Sequence, residues 1–295
     1  MSKKSGNLKS NAELNAHVIL IRGLAREARH WGSFAGDLEK AMTSAFGSTR
    51  VDAIDLPGTG VFSEMKSPLT IAEIAEFTRG KFLEIRHKQR TNGQPTASHS
   101  FIVAVSLGGM VASYWIDRWP EDFTGAVLIN TSFKKISPFY RRLMPTLYRS
   151  MFEIFRAKDV RARELGILKM ISNRPELYEA TVENWTAIQL TRPVSIENCV
   201  RQLTAASRFE PSLQPPAIPI LILGCLKDRM VHPSCSEEIA EHWHADFRQH
   251  PTAGHDLTLD DPEWAIDQIR GACLLFADGA SQNAVSAKSR QAPPG

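Results

Sequence analysis

The sequence predicts an α/β architecture: a doubly wound, mostly parallel sheet of about six strands, interrupted by a helical insertion. Three observations carry this. Short, continuously apolar runs alternate with stretches of helical periodicity as far as residue 129, the pattern of parallel strands buried on both faces. The alternation stops between residues 133 and 210, where Met, Leu, Tyr and Arg recur at helical spacing with no Gly-rich turn. It resumes after the proline-rich break Pro211–Pro219.

Each element follows from local pattern. Residues 1–15 are polar and aperiodic and read as a loose arm. His17–Ile21 reads as the first strand and Trp31–Phe46 as a helix with Trp31, Phe34, Leu38, Ala41 and Met42 on one side. Val51–Asp55 is the second strand, stopped by Leu56-Pro57-Gly58-Thr59-Gly60. Thr70 caps the next helix, whose apolar positions are Ile71, Ile74, Ala75, Phe77 and Phe82. Phe101–Val105 and Gly125–Ile129 are strands three and four, with a helix between them that ends at Pro120. The insertion divides into helical patches at Tyr140–Phe155, Val160–Ile171, Leu177–Leu190 and Ile196–Ala206. Ile220–Leu223 and Ala245–Arg248 complete the sheet, with Ser234-x-x-Glu237 as a capping box between them. The closing helix spans Pro262–Phe276, and 279–295 reads as a disordered tail. The core is therefore 16–132 plus 211–278, and the insertion 133–210.

Bulk properties narrow the function classes. A net charge of +3 over 295 residues, without a dense Lys/Arg stripe, argues against nucleic acid or an anionic membrane as the main partner. No stretch approaches the ~18 uncharged apolar residues of a membrane span. The lysines near the N-terminus are not followed by the apolar run of a signal peptide. Cys199, Cys225, Cys235 and Cys273 include no C-x-x-C pair, and Cys225 and Cys273 lie in apolar runs, as reduced, buried thiols do. The expected setting is cytoplasmic.

Chemistry centres on Ala104-Val105-Ser106-Leu107-Gly108. Ser106 is the only serine with glycine two residues later, and it sits between an apolar strand and a helix. A serine exposed on a sharp strand-to-helix turn needs small residues two positions either side, so that strand and helix can pass closely. A hydroxyl becomes a nucleophile only beside a base, and the base needs an oriented partner. FIVAVSLGGM resembles the nucleophile elbow of α/β-hydrolases, with Ala104 where glycine is commonest. The resemblance implies the chain order nucleophile, acid, histidine. Asp228, in GCLKDRMVHP, follows the strand Ile220–Leu223 and is similar to the family's acid loop, with His232 displacing the usual proline to Pro233. Among nine histidines, His255 sits in an Ala-Gly-His loop between the last strand and the closing helix. The expected triad is Ser106, Asp228 and His255.

The same resemblance implies an oxyanion hole from the backbone N–H groups of Leu107 and Leu24. Where relatives usually carry His-Gly, this chain has Arg22-Gly23. Arg22 or Arg26 would then grip a substrate carboxylate or other anion, or Arg22 simply braces its loop. The insertion corresponds to a cap over the site, with Met151, Phe152, Phe155 and Trp185 available to line a pocket and Arg192 able to reach it. The hairpin that commonly opens such sheets is missing from the pattern. No nucleotide-binding glycine loop and no metal-ligand spacing occurs, His242, His244 and His250 included, so no cofactor and no metal is expected.

The expected activity is hydrolysis of a small to medium carboxylic ester, thioester or lactone through an acyl-Ser106 intermediate. Carbon–carbon bond hydrolysis and acyl transfer use the same triad, and a binding protein without turnover uses the same fold. The expected partner is a small acyl substrate, and the chain is a monomer or a homodimer.

Overall fold

A computed structural model of the chain describes residues 15–94 and 96–290, with side chains as far as Ser281. Six strands, β1 (Ala16–Ile21), β2 (Thr49–Ala53), β3 (His99–Val105), β4 (Gly125–Ile129), β5 (Ile220–Cys225) and β6 (Asp246–His250), form one sheet in the order β2-β1-β3-β4-β5-β6. All five pairings are parallel. The expected absence of an opening hairpin concerns residues that lie mostly outside those described.

Among the described residues, eleven α-helices accompany the strands: α1 (Phe34–Phe46), α2 (Ile71–Thr91), α3 (Leu107–Arg118), α4 (Phe139–Arg142), α5 (Tyr148–Arg156), α6 (Val160–Ile171), α7 (Tyr178–Thr191), α8 (Ile196–Arg208), α9 (Ser234–Trp243), α10 (Leu257–Asp260) and α11 (Pro262–Arg290). Among the described residues, none is long and apolar enough to cross a membrane.

The period of two along each strand sorts the core into two layers. Val18, Leu20, Phe101, Val103, Val127 and Leu221 pack with Phe34, Leu38 and Met42 of α1 and Ile269, Cys273 and Phe276 of α11. Ile19, Ile21, Ile102, Ala104, Leu128 and Ile222 face the other way, against Ile74 and Phe82 of α2, Met110 and Trp115 of α3, and Ile239 and Trp243 of α9. A sheet covered on both faces explains why its strands read as unbroken apolar runs. Helices α4–α8 occupy the chain between β4 and β5 and carry a small core of their own, built on Leu168, Met170, Ile171, Val182, Trp185 and Ile188.

Three local expectations need correction. Ser234 does not cap α9: it is the first helical residue, and its amide donates to His232 Nδ1 (3.2 Å), so the imidazole takes the capping position. α11 continues to Arg290, so 279–290 is helical where a disordered tail was expected. The segment after Gly279 is rich in Ala and Ser and meets no proline before Pro293, so nothing local stops the helix. Arg192 does not reach the main cavity: it lines a separate groove with Asp55, Phe62 and Lys88.

Candidate active site

Ser106 sits at the junction of β3 and α3 with φ 57° and ψ −119°, a conformation that a non-glycine residue adopts only when its surroundings enforce it. They do so here. The Ser106 amide donates to the Ile129 carbonyl (2.8 Å), and its carbonyl accepts from Thr131 Oγ1 (2.8 Å) and from the Gly109 amide (2.8 Å). Gly108 is required by sterics. A Cβ there would lie 2.6 Å from the Arg22 carbonyl oxygen and 2.7 Å from that of Ile21. Gly23 lets the loop after β1 close over the elbow, since a Cβ on it would stand 3.1 Å from Ser106 Cβ.

His255 and Asp228 meet across 27 residues of chain, with His255 Nδ1 at 2.7 Å from Asp228 Oδ2. The other carboxylate oxygen accepts from the amides of Met230 (2.7 Å) and Val231 (3.0 Å). Both carboxylate oxygens are thus held, which orients the acid toward the imidazole. His255 Nε2 is buried and has no hydrogen-bond partner. It lines the same cavity as Ser106.

That cavity has a volume of about 140 Å³ and is partly covered by the insertion, with Met151, Ile154 and Phe155 of α5 and Ile167, Met170 and Ile171 of α6 in its wall. Phe152 faces solvent instead, and Trp185 is buried in the insertion's own core. Leu24 lines the cavity. Leu107 opens α3, so its N–H is among those a helix start leaves without an intrahelical acceptor.

Arg22 and Arg26 both line the cavity, but each is matched by a buried carboxylate. Arg22 forms a two-pronged pair with Asp256 (2.5 and 3.2 Å) and lies over the Trp31 ring at 4.8 Å. Arg26 pairs with Glu164 of α6 (2.6 Å) and lies over Trp185 at 4.5 Å. Burial alone would raise the Asp256 carboxyl, but the Arg22 charge overrides it and holds the group below the ordinary carboxylate range. His30, whose Nε2 accepts from Arg26 (2.9 Å), is driven far below the usual histidine range by burial and then by Arg26 and Arg22.

Sequence reasoning missed several supports of this site. Asn130, at φ 48°, donates to the His255 carbonyl (2.8 Å) and so holds the loop that carries the imidazole. Gln202 of α8 accepts from the Ala25 amide (2.9 Å), gripping the loop after β1 from the insertion. Asp256 and Glu164 carried no motif. An Asp directly after the candidate base was the one available signal. Among the described residues, no group of three or more His, Cys, Asp or Glu is placed to hold a metal ion. His250 instead pairs with Asp261 (3.1 Å), and its Nδ1 accepts from the Ala253 amide (2.8 Å).

A family model described as the alpha/beta hydrolase family matches residues 18–268. The chain belongs to that family. Solved structures with the same fold include an assigned non-heme bromoperoxidase, BpoC, from Mycobacterium tuberculosis H37Rv, at 20% identity, covering 88% of this chain and 92% of that one with a TM-score of 0.66. A hydrolase from Pseudomonas aeruginosa PA01 is 20% identical over 89% of each chain, TM-score 0.64. The esterase RhEst1 from Rhodococcus sp. ECU1013 is 17% identical, covering 88% of this chain and 90% of that one, TM-score 0.62. At these identities the likeness is one of fold. No protein of curated function matches the sequence. Within this α/β-hydrolase, the elbow lies on the middle of the sheet, flanked by the loops after β1, β5 and β6.

Proposed function

We propose that this α/β-hydrolase cleaves a neutral carboxylic ester through an acyl-Ser106 intermediate, with His255 as base and Asp228 as its orienting acid. The observation that carries the reading is the free, buried Nε2 of His255 in the cavity shared with Ser106, its Nδ1 tied to Asp228. Such a tie keeps the proton on Nδ1 and leaves Nε2 to accept one.

In the first half-reaction Ser106 Oγ attacks the ester carbonyl carbon and His255 Nε2 takes the hydroxyl proton. The negative charge on the carbonyl oxygen meets the N–H groups of Leu24 and Leu107. Collapse breaks the bond to the leaving alkoxide, which takes the proton back from Nε2. Water then repeats the sequence against the acyl-serine, returning Ser106 and releasing the acid.

The wall of methionine, isoleucine and phenylalanine side chains suits an apolar acyl group. The pairing of Arg22 with Asp256 and of Arg26 with Glu164 argues against an anionic substrate held by either arginine. A buried guanidinium already matched by a carboxylate offers little net attraction to a second one.

The test is a fluorophosphonate, with the adduct mapped by mass spectrometry. Stoichiometric labelling of Ser106, abolished in Ser106→Ala and His255→Ala, is expected. A folded protein that resists labelling would overturn the reading and favour a binding protein on the same fold. Neutral esters should turn over faster than carboxylate-bearing esters of equal size, and the reverse preference would reinstate the arginine grip.

A further inference from the structure

Helix α5 carries an apolar stripe that the fold leaves partly uncovered. Tyr148, Met151, Phe152, Ile154 and Phe155 make up most of its nine residues, yet none of the nine is buried. The apolar residues lie along one side of the helix, with Arg149, Ser150, Glu153 and Arg156 on the other, and such a stripe is normally buried. Met151, Ile154 and Phe155 turn toward the cavity. Tyr148 and Phe152, one turn apart, point away and are 43% and 60% exposed. Tyr148 also reaches toward the end of α4, its hydroxyl 3.5 Å from the carbonyl of Leu143, the residue that follows that helix. On α4, Phe139 and Tyr140 are 70% and 50% exposed and pack edge to face at 6.0 Å.

Charge is concentrated in the same segment. Residues 139–163 carry Arg141, Arg142, Arg149, Arg156, Lys158, Arg161 and Arg163 against Glu153 and Asp159 alone. The whole chain is only +3, so the remainder is slightly acidic and the molecule is polar in charge. Glu153 is taken by Arg149, and Asp159 caps α6. Arg141 and Arg161 have acidic partners in other helices. Arg156 and Lys158 are exposed and have no carboxylate partner among the described residues, and Arg156 lies 5.4 Å from the centre of the Phe152 ring.

We propose that the outer face of α4 and α5 docks on an anionic lipid bilayer. Phe139, Tyr140, Tyr148 and Phe152 enter the headgroup region, and Arg156 and Lys158 meet lipid phosphates. Exposed aromatics beside unpaired cations are the chemistry of helices that lie in a membrane interface. A second copy of the chain suits the face poorly. A symmetric dimer there would set the unpaired Arg156 and Lys158 of one copy against those of the other. Docking uses no residue of the candidate triad, so it stands or falls apart from the proposed ester hydrolysis.

The experiment is sedimentation of the full chain with vesicles of phosphatidylcholine alone and of phosphatidylcholine containing phosphatidylglycerol. Binding to the anionic vesicles is expected to exceed binding to neutral ones by about tenfold or more, and to weaken as salt is raised. Phe139→Ser combined with Phe152→Ser should abolish binding. Arg156→Gln combined with Lys158→Gln should remove the preference for phosphatidylglycerol. Circular-dichroism melting and labelling of Ser106 should match the parent in both variants, since none of the four residues lines the cavity. Failure of the parent to bind anionic vesicles, or unchanged binding by both variants, overturns the proposal. So does a dimer in light scattering that the Phe139→Ser and Phe152→Ser changes dissociate, which would make this face a subunit interface.

Discussion

The Arg22 guanidinium and the Asp256 carboxylate, 234 positions apart in the chain, form a buried two-pronged ion pair directly behind the candidate base. Arg22 precedes Gly23 and Leu24, and Asp256 follows His255. The pair therefore ties the loop that would hold the oxyanion to the loop that carries the imidazole. Thr258 Oγ1 lies 3.3 Å from Arg22 Nη1 and donates to Asp256 Oδ1 (2.9 Å).

Removing one side of this pair should be costly. Asp256→Asn leaves a buried guanidinium without its counter-charge, an effect of about 3–5 kcal/mol. The Asp256 carboxyl is held below its ordinary value of 3.8. Its stabilising contribution is complete above that value and is lost as pH falls through the lower folded-state value. Urea unfolding of parent and variant should show the full gap at pH 7 and a narrowing gap at pH below 3.8. A gap independent of pH would refute the assignment.

His30 should make the fold acid-sensitive in a different window. Its imidazole is held neutral by burial and by the charges of Arg26 and Arg22. The unfolded chain takes up a proton near the ordinary value of 6.5 while the folded one does not. Stability attributable to this group should then fall by up to about 1.4 kcal/mol for each pH unit below 6.5. Comparing the slopes of unfolding free energy against pH for the parent and His30→Gln isolates the contribution. Parallel slopes between pH 7 and pH 5 would remove it.

Gly108→Ala is expected to damage fold and site together. The added methyl would meet the backbone oxygens of Ile21 and Arg22, which cannot swing aside as a side chain would. Moving β1 away from α3 also moves Gly23 and Leu24. A lower melting temperature and loss of fluorophosphonate labelling should appear together. Gly80→Ala, at an open position inside α2, should raise the melting temperature slightly and leave labelling unchanged.

Asp228→Asn separates geometry from proton management. The amide can keep the contacts to Met230 and Val231, but it places an N–H against His255 Nδ1 and forces the wrong tautomer. A fall in kcat of about 10⁴-fold is expected at nearly unchanged stability. A variant within tenfold of the parent would mean that another group orients His255.

Sequence reasoning reached the sheet because its strands are buried on both faces and its helices carry one-sided apolar stripes, both short-period patterns. It proposed Ser106, Asp228 and His255 from position and family resemblance, since each follows the carboxyl end of a strand. It misplaced local ends where a neighbour outside the motif decided the matter. His232 took the capping position expected of Ser234, and α11 outran its apolar stripe to Arg290. Asn130 was visible only as the residue that ends β4, and its hold on the His255 carbonyl carries no local signature.

The sequence by itself determined the α/β class and a parallel sheet of about six strands, because periodicity and turn chemistry act within a few residues, and it singled out the three residues proposed as the triad. Tertiary structure alone decided what the charges do. Arg22 and Arg26 look like anion hooks in one dimension and are neutralised by Asp256 and Glu164 in three. The cations and aromatics of residues 139–158 are adjacent in the sequence, but only the fold shows which of them stay exposed and without a carboxylate partner. Electrostatic partners are chosen across hundreds of residues by burial, and no local pattern records that choice.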